Sequence, residues 1–126
     1  MLDEFLRPHF RRREFACKGG DNCCGGAAPV DDRLVTGLQI LRSIVNRPIT
    51  ITSGFRCVKH NASIGGSERS QHTLGKAADI RCAGFTSEEL AEAAERVDEF
   101  RDGGIGIYQS FVHVDVRTDG QARWRG

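Results

Sequence analysis

The sequence predicts an α+β fold in which helices flank a small antiparallel sheet. Three observations lead to this prediction: an apolar stripe at helical spacing, short stretches that alternate apolar and polar residues, and a helix start signal between two such stretches. The chain has 126 residues, and cores of this size rarely divide, so one domain is expected over 1–126.

The first helix is predicted in residues 32–46. Its apolar stripe consists of Leu34, Leu38, Leu41 and Val45. Pro48 prevents much continuation, because proline lacks an amide hydrogen and its ring clashes inside a helix. Residues 49–52 then alternate apolar with polar β-branched side chains, which predicts a half-buried strand ending at the turn residues 53–54.

Residues 55–76 are rich in glycine and serine but show little periodicity, so they are predicted to form a long loop of the kind that carries sites. A short strand is predicted over 77–82. Thr86 and Glu89 then have the spacing of a capping box, which predicts a helix that starts there and runs to about Phe100.

The last third of the chain is predicted to form two strands, one in 104–109 and one in 111–117, separated at Ser110. Alternation along the second strand places Phe111, His113 and Asp115 on one face. The histidine and the carboxylate therefore point the same way.

Composition excludes several classes of protein. Lys and Arg total 18 against 17 Asp and Glu, and the net charge of +1 gives no electrostatic reason to expect nucleic acid as a partner. The longest apolar run is too short to span a membrane. The first residues lack the apolar segment of a secretory signal, so export would need a precursor segment, a partner or lysis. A monomer is expected.

Three residues could form a metal site. His72 and Asp79 lie seven positions apart, with Gly75 between them to turn the chain. His113 is a third candidate, and two histidines with one carboxylate form a ligand set of catalytic zinc, which keeps its fourth position for water. Zinc lowers the pKa of that water and polarises a carbonyl, as amide hydrolysis requires. On spacing alone, ordinary hydrogen-bonding roles for these residues stay open.

Three sequence motifs, taken in order, resemble the zinc D-Ala-D-Ala metallopeptidase family. They are Ser53-Gly-Phe-Arg56, Ser70-Gln-His72-x2-Gly75-x-Ala77-x-Asp79 and Val112-His113-Val-Asp115. The resemblance runs from about Phe10 to Arg117, most of the chain. That family includes bacterial zinc D-Ala-D-Ala carboxypeptidases, vancomycin-resistance D,D-dipeptidases and phage endolysins. Its fold is shared with the signalling domain of hedgehog proteins.

The resemblance implies a zinc-dependent cell-wall peptidase. One zinc ion per chain would be held by His72, Asp79 and His113, and zinc-activated water would hydrolyse a peptide bond of a peptidoglycan stem peptide. The activity would be of the D,D-carboxypeptidase or L,D-endopeptidase type, in a host or phage-derived enzyme acting at the cell wall. The sequence does not choose between these bonds, because they share one zinc scaffold.

The resemblance also implies roles around the metal. Arg56 would help to stabilise the oxyanion of the tetrahedral intermediate, and Ser70 would lie near the substrate carboxylate. Substrate binding is therefore assigned to Arg56, Ser70 and Gln71. The pocket could be lined by Phe55, Gln71, Tyr108 and Trp124, although core packing would explain aromatic residues equally well.

The sequence departs from the family at the catalytic base. Family members usually carry an acidic residue three positions before the last zinc histidine, or a histidine two positions before it, and here those positions are Ser110 and Phe111. Asp115 is therefore predicted to be the base, because it shares a strand face with His113. The alternative is that Asp115 only orients a ligand.

Two other functions stay open at this point. A zinc-containing binding domain without hydrolysis is possible, since hedgehog relatives are of that kind and the upstream base is absent. A module of a phage tail or lysis system is the other alternative, which the sequence does not separate from a free lysin.

The chain has five cysteines, an odd number that cannot all pair within one chain. Those in 17–24 lack a Cys-x2-Cys pair and an obvious fourth ligand, so no second zinc is expected there. Cys57 and Cys82 flank the predicted site and could pair in an oxidising compartment, although free buried thiols are the default. A Cys57 nucleophile activated by His60 gains no support from the resemblance.

Overall fold

The structure, a computed structural model, describes residues 2–19 and 23–126. Near the N-terminus, β1 (Phe5–Arg7) and β2 (Phe10–Arg11) form an antiparallel hairpin. A 3-10 turn over Arg12–Phe15 follows directly. Five other strands form one sheet: β3 (Ile49–Ser53), β4 (Ala77–Cys82), β5 (Gly104–Ile107), β6 (Val112–Asp115) and β7 (Ala122–Arg125). The hairpin and β7 were not predicted from the sequence.

The sheet is mixed, which corrects the prediction of an antiparallel one. Its strand order is β3-β4-β6-β5-β7, and every neighbouring pair is antiparallel except β5 and β7. After β6 the chain turns back and passes β5 to reach its far edge, so β7 is parallel to β5. This order places β4 beside β6, and these strands carry Asp79 and His113.

The predicted helix over 32–46 is confirmed as α1 (Asp32–Val45). The side chain of Asp31 caps its first turn, and Asn46 ends it in the left-handed conformation at a φ of 53°. Its apolar stripe lies in the core through Leu34, Leu38, Leu41 and Val45. The helix packs on β1 and on the helices that precede β5.

The predicted loop over 55–76 contains two short helical segments, which corrects that prediction. They are α2 (Val58–Ser63) and a 3-10 turn over Gln71–Leu74. The Sγ atom of Cys57 caps α2 by accepting a hydrogen bond from the amide of His60 at 3.3 Å. Cysteine is not among the usual capping residues, so the start of α2 carries no standard sequence signal.

The helices between β4 and β5 are α3 (Ser87–Ala94) and α4 (Asp98–Arg101). The start is as predicted, because Thr86 and Glu89 form a capping box. The single helix predicted to run to Phe100 is broken at Val97, where the backbone is extended and the side chain is completely buried. Packing of this β-branched residue therefore overrides the local helical preference. Within the described residues, no helix is long and apolar enough to cross a membrane.

Candidate metal centre and cleft

The three predicted ligands meet at one point. His72 comes from the second 3-10 turn, while Asp79 and His113 are direct partners across β4 and β6. Oδ1 of Asp79 lies 3.1 Å from Nε2 of His72 and 3.2 Å from Nδ1 of His113. All three side chains are buried, and one ligand atom from each lies within 4.8 Å of the others.

Gly75 makes the connection between the first two ligands possible. Its φ is 70°, a left-handed conformation that ends the 3-10 turn. A Cβ atom added there would lie 2.7 Å from the carbonyl oxygen of Pro29. Any larger residue would therefore be strained and would displace the chain between His72 and β4.

Hydrogen bonds behind the two imidazoles fix their tautomers. Nδ1 of His72 donates to the carbonyl oxygen of Gly54 at 2.7 Å, because that oxygen can only accept. Nε2 of His113 likewise donates to Oδ2 of Asp115 at 2.7 Å. The remaining ring nitrogens, each with a lone pair in the neutral imidazole, face Asp79. This is the arrangement of metal-binding histidines supported by outer hydrogen bonds.

The charges in the centre depend on one another. Burial would raise the pKa of Asp79, but hydrogen bonds from His113 and His72 outweigh burial and hold that pKa well below its usual range. Burial would lower the pKa of His113, but hydrogen bonds to Asp115 and Asp79 raise it above its usual value. A proton on an imidazole, or a cation among the three ligands, would add to the positive charge that Arg56 already places beside this carboxylate.

Asp115 is saturated with hydrogen bonds. It is completely buried, and its Oδ1 atom accepts from the amide of Gly104 and from Nε of Arg117, both at 2.9 Å. Its Oδ2 atom accepts from His113 and from Nη2 of Arg117, both at 2.7 Å. It does not line the cleft described below. Asp115 therefore holds His113 from behind, the arrangement expected of the alternative role, and its role as catalytic base stays a prediction.

Arg56 stands directly beside the centre. Its Nη2 atom donates to Oδ2 of Asp79, its Nε atom to Oγ of Ser53 and its Nη1 atom to Oδ1 of Asn61, each at 3.3 Å. Its backbone amide donates to the carbonyl oxygen of His72 at 3.0 Å. The side chain lies on the cleft wall, so the residue predicted to stabilise an oxyanion is within reach of a ligand.

A cleft of about 700 Å³ opens over the centre. The predicted substrate-binding residues Ser70 and Gln71 line it, and Oγ of Ser70 accepts from the amide of His72 at 3.2 Å. Tyr108 and Trp124 also line it, as expected from the sequence, whereas Phe55 does not. The substrate contacts assigned to Ser70 and Gln71 stay predictions.

Trp124 forms one wall of the cleft together with Tyr108. The indole N–H donates to the phenol oxygen of Tyr108 at 2.9 Å, and the indole lies 4.9 Å from the ring of His113. Tyr108 stacks on Phe111 with ring centroids 4.4 Å apart. Gly106 provides the space, since a Cβ atom there would lie 2.4 Å from the indole.

Two functional candidates were missed from the sequence. Arg117 lines the cleft while holding Asp115, and its pKa is raised by that hydrogen-bonded carboxylate. The alternation that places His113 and Asp115 on one face of the predicted strand also places Arg117 there, two positions after Asp115. Asn61 is buried and links Arg56 to the carbonyl oxygen of Ser67, a contact between loops that no local pattern reveals.

Cys57 and Cys82 lie apart, contrary to the expectation that they could pair. Cys82 stands opposite Ile49 at one end of the β3–β4 pair, whereas Ser53 and Asp79 meet at the other end, where the chain continues to Cys57. None of the described cysteines forms a disulfide. Cys57 instead belongs to a group of four cysteines, considered below.

Comparisons with known proteins identify the relatives of this chain. A family model described as Peptidase M15 matches residues 8–115. The chain is 35% identical over 99 residues to the probable peptidoglycan L,D-endopeptidase MepK of Haemophilus influenzae, covering 71% of this chain and 49% of that protein. It is 40% identical over 80 residues to the zinc D-Ala-D-Ala carboxypeptidase of Streptomyces albus G, covering 61% of this chain and 31% of that protein.

The match therefore spans half or less of the length of these curated relatives. The match to the family model includes all three sequence motifs that carry the candidate metal centre, since these lie between residues 53 and 115. The family resemblance predicted from the sequence is confirmed, and the chain belongs to the peptidase M15 family.

Proposed function

We propose that this chain is a zinc-dependent peptidase that hydrolyses a peptide bond in the stem peptides of peptidoglycan. The observation that carries the proposal is the convergence of His72, Asp79 and His113 at the base of the cleft, with both imidazoles held in the tautomer that binds metal. The printed names of the two relatives, an L,D-endopeptidase and a D-Ala-D-Ala carboxypeptidase, support this substrate class.

The donor set fits zinc. Two neutral imidazole nitrogens and one carboxylate oxygen are the protein ligands of many catalytic zinc sites, which leave a further position open. Bound there, zinc would supply an activated water and would polarise the carbonyl of the scissile bond. The metal would then take the place beside Asp79 that a proton on an imidazole takes in the metal-free protein.

Arg56 is proposed to bind the carbonyl oxygen of the scissile bond. Its three side-chain hydrogen bonds are all 3.3 Å long, beyond the usual range for such bonds, so the guanidinium can turn toward a better acceptor. Negative charge that develops on that oxygen strengthens the interaction in the transition state. Asn61 and Asp79 keep the guanidinium at the cleft wall until substrate arrives.

Arg117 and Ser70 are proposed to bind the substrate's carboxylate. Both line the cleft, and stem peptides carry free carboxylates. Arg117 keeps two of its guanidinium nitrogens on Asp115, and its guanidinium carbon lies 5.4 Å from the indole of Trp124. It therefore presents a fixed positive charge to the cleft while Asp115 stays on His113.

A second candidate function is a zinc-containing binding domain without hydrolysis. One observation favours it: of the described residues that line the cleft, Asp79 is the only carboxylate, and it is a proposed ligand. Asp115 has no free oxygen for a proton from water. Binding of stem peptides without turnover would support this alternative.

The deciding experiment measures bound zinc and muropeptide cleavage in wild type and in His72→Ala. We expect the variant to contain one zinc ion fewer per chain and to lose cleavage. His9→Ala is the matched control, since His9 is exposed and hydrogen-bonded to Gln39 far from the cleft. Equal zinc content in wild type and His72→Ala would contradict the proposed centre, and zinc with stem-peptide binding but without cleavage would favour the binding domain.

A further inference from the structure

Four cysteines form a second cluster outside the cleft. They are Cys17, Cys23, Cys24 and Cys57, and their Sγ atoms all lie within 4.8 Å of one another. Cys17 is buried and the other three are partly buried. The cluster shares no residue with the candidate zinc centre or with the cleft lining.

The distances between the sulfur atoms indicate what the cluster can hold. The Sγ atom of Cys23 lies 3.7 Å from that of Cys17 and 3.8 Å from that of Cys24. Four thiolates at about 2.3 Å from a tetrahedral zinc ion lie about 3.8 Å from each other, the edge of the tetrahedron. A disulfide would require about 2.05 Å. The sulfurs are therefore spaced as ligands of one ion.

Chain geometry also disfavours one of the possible disulfides. Adjacent residues in a trans peptide have Cα atoms about 3.8 Å apart, below the usual range for a disulfide. Cys23 and Cys24 are adjacent and so do not readily pair with each other. A single metal ion takes both thiolates at once.

Backbone contacts of neighbouring described residues hold the cysteines of the cluster in position. The amide of Cys17 donates to the carbonyl oxygen of Ala27 at 2.8 Å, which holds these two residues together beside the cluster. Gly19 packs on the sulfur of Cys23, where a Cβ atom would approach to 2.5 Å. Cys57 is fixed by its place at the start of α2. A larger side chain at Gly19 would push Cys23 out of the group.

We propose that these four cysteines bind a structural zinc ion, distinct from the ion in the cleft. Each thiol releases its proton to solvent as its sulfur binds the metal, so four protons leave per ion bound. All four tetrahedral positions are then filled by protein, which is typical of structural rather than catalytic zinc. This proposal departs from the expectation that the cysteines in 17–24 hold no zinc, because that expectation did not consider Cys57, which lies 33 positions after Cys24.

The site would join the N-terminal segment to the loop that carries Arg56. Cys57 follows Arg56 directly, and the two segments already touch where the amide of Phe55 donates to the carbonyl oxygen of Phe15 at 2.8 Å. The metal would therefore hold the start of α2 in place behind the proposed oxyanion-binding residue.

The test counts zinc per chain in protein purified with a thiol reductant. We expect two ions in wild type, one in His72→Ala, one in Cys17→Ser/Cys24→Ser and two in Cys82→Ser. The last is the matched control, because Cys82 is a buried thiol outside the cluster. His72→Ala leaves all four thiols in place and so removes only the proposed catalytic ion. Failure of the cysteine site would leave no ion in His72→Ala. Failure of the catalytic site would leave the zinc content of His72→Ala equal to that of wild type.

Cobalt substitution supplies a second measurement. Thiolate-to-cobalt charge-transfer absorption is expected in wild type and in His72→Ala, and its absence is expected in the double cysteine variant. If the double variant does not fold, the spectrum and metal content of His72→Ala decide alone. No bound metal in folded His72→Ala would overturn the proposal, whether its thiols titrate as free or mass spectrometry finds them as disulfides.

Discussion

The hydrogen bond between His113 and Asp115 sets the direction in which the imidazole presents its lone pair. The bond is 2.7 Å long, and the carboxylate that accepts it is completely buried. Arg117 and the amide of Gly104 hold the same carboxylate from the other side. The orientation of His113, a proposed metal ligand, thus depends on residues outside the proposed ligand set.

Replacing Asp115 with Asn tests this dependence. The variant keeps the shape of the side chain but removes the charge that fixes the tautomer of His113, so zinc affinity in the cleft should fall about 10- to 100-fold. Competition with a chelator measures the affinity, in a Cys17→Ser/Cys24→Ser background that reports only on the cleft. Asp98→Asn, exposed on α4, is the control. Unchanged affinity in Asp115→Asn would mean that the carboxylate does not orient the ligand.

Replacing Arg56 tests its proposed role in the reaction. Arg56→Ala should lower kcat about 100- to 1,000-fold with little change in KM, because the lost interaction forms mainly in the transition state. Arg56→Lys should restore only part of the activity, since an ammonium lacks the planar fork of donors. Arg81→Ala, exposed on β4, serves as control. A large rise in KM at unchanged kcat would instead indicate ground-state binding.

Strand β5 contributes to the site because two of its four residues are glycines. Its two glycines face Asp115 and Trp124, where Cβ atoms would lie 2.3 Å and 2.4 Å from the neighbouring side chains. The absence of a side chain at these two positions therefore lets a carboxylate and an indole pack against the strand. Gly104 leaves space for the support of His113, and Gly106 leaves space for the cleft wall.

Gly106→Ala should therefore displace the indole and destabilise the fold by about 1–3 kcal/mol, as overpacking commonly does. The double variant Gly106→Ala/Trp124→Ala removes the ring that the new methyl group would meet. Its destabilisation should be less than the sum of the two single effects by more than about 0.5 kcal/mol. Urea unfolding of the four proteins measures this coupling, and simple additivity would contradict the proposed contact.

Among the helices and strands, the sequence predicted those whose signals lie within the element itself. The helix α1 has both an apolar stripe and a capping residue, and α3 begins with a capping box. The break at Val97 and the parallel pairing of β7 depend on contacts with distant parts of the chain. The cap of α2 uses a cysteine, a residue type that gives no helix signal.

At the scale of the whole molecule, the site is assembled from segments far apart in the sequence. Resemblance to a family predicted His72, Asp79 and His113, and the pairing of β4 with β6 explains how the last two meet. The carbonyl of Gly54 behind His72 could not be predicted, because backbone groups leave no mark in the sequence. The cysteine cluster was missed for a similar reason, since Cys57 is distant from its three partners.

The buried carboxylates should also make the whole metal-free protein sensitive to acid. Burial alone would raise the pKa of Asp79 and Asp115, but hydrogen bonds from His113 and its neighbours outweigh it and lower both values in the folded state. The folded protein then binds fewer protons than the unfolded chain as the pH falls, so protonation favours unfolding. Stability is complete above the carboxyl pKa of the unfolded chain and is lost as the pH falls through the lower folded values. The raised pKa of His113 acts in the opposite direction, and its contribution is lost as the pH rises through that value.

Metal-free protein should therefore be most stable between the carboxyl range and the raised pKa of His113. Urea unfolding after dialysis against a chelator, followed from about pH 7 down to about pH 2, measures the acid limb. Asp115→Asn should make this limb shallower, because one carboxylate with a lowered pKa is gone, while Asp98→Asn should leave it unchanged. An equally steep acid limb in Asp115→Asn would show that the buried network around His113 contributes nothing to the pH dependence. Zinc should make the acid limb steeper, because the metal binds only the deprotonated ligands and protons compete with it as the pH falls.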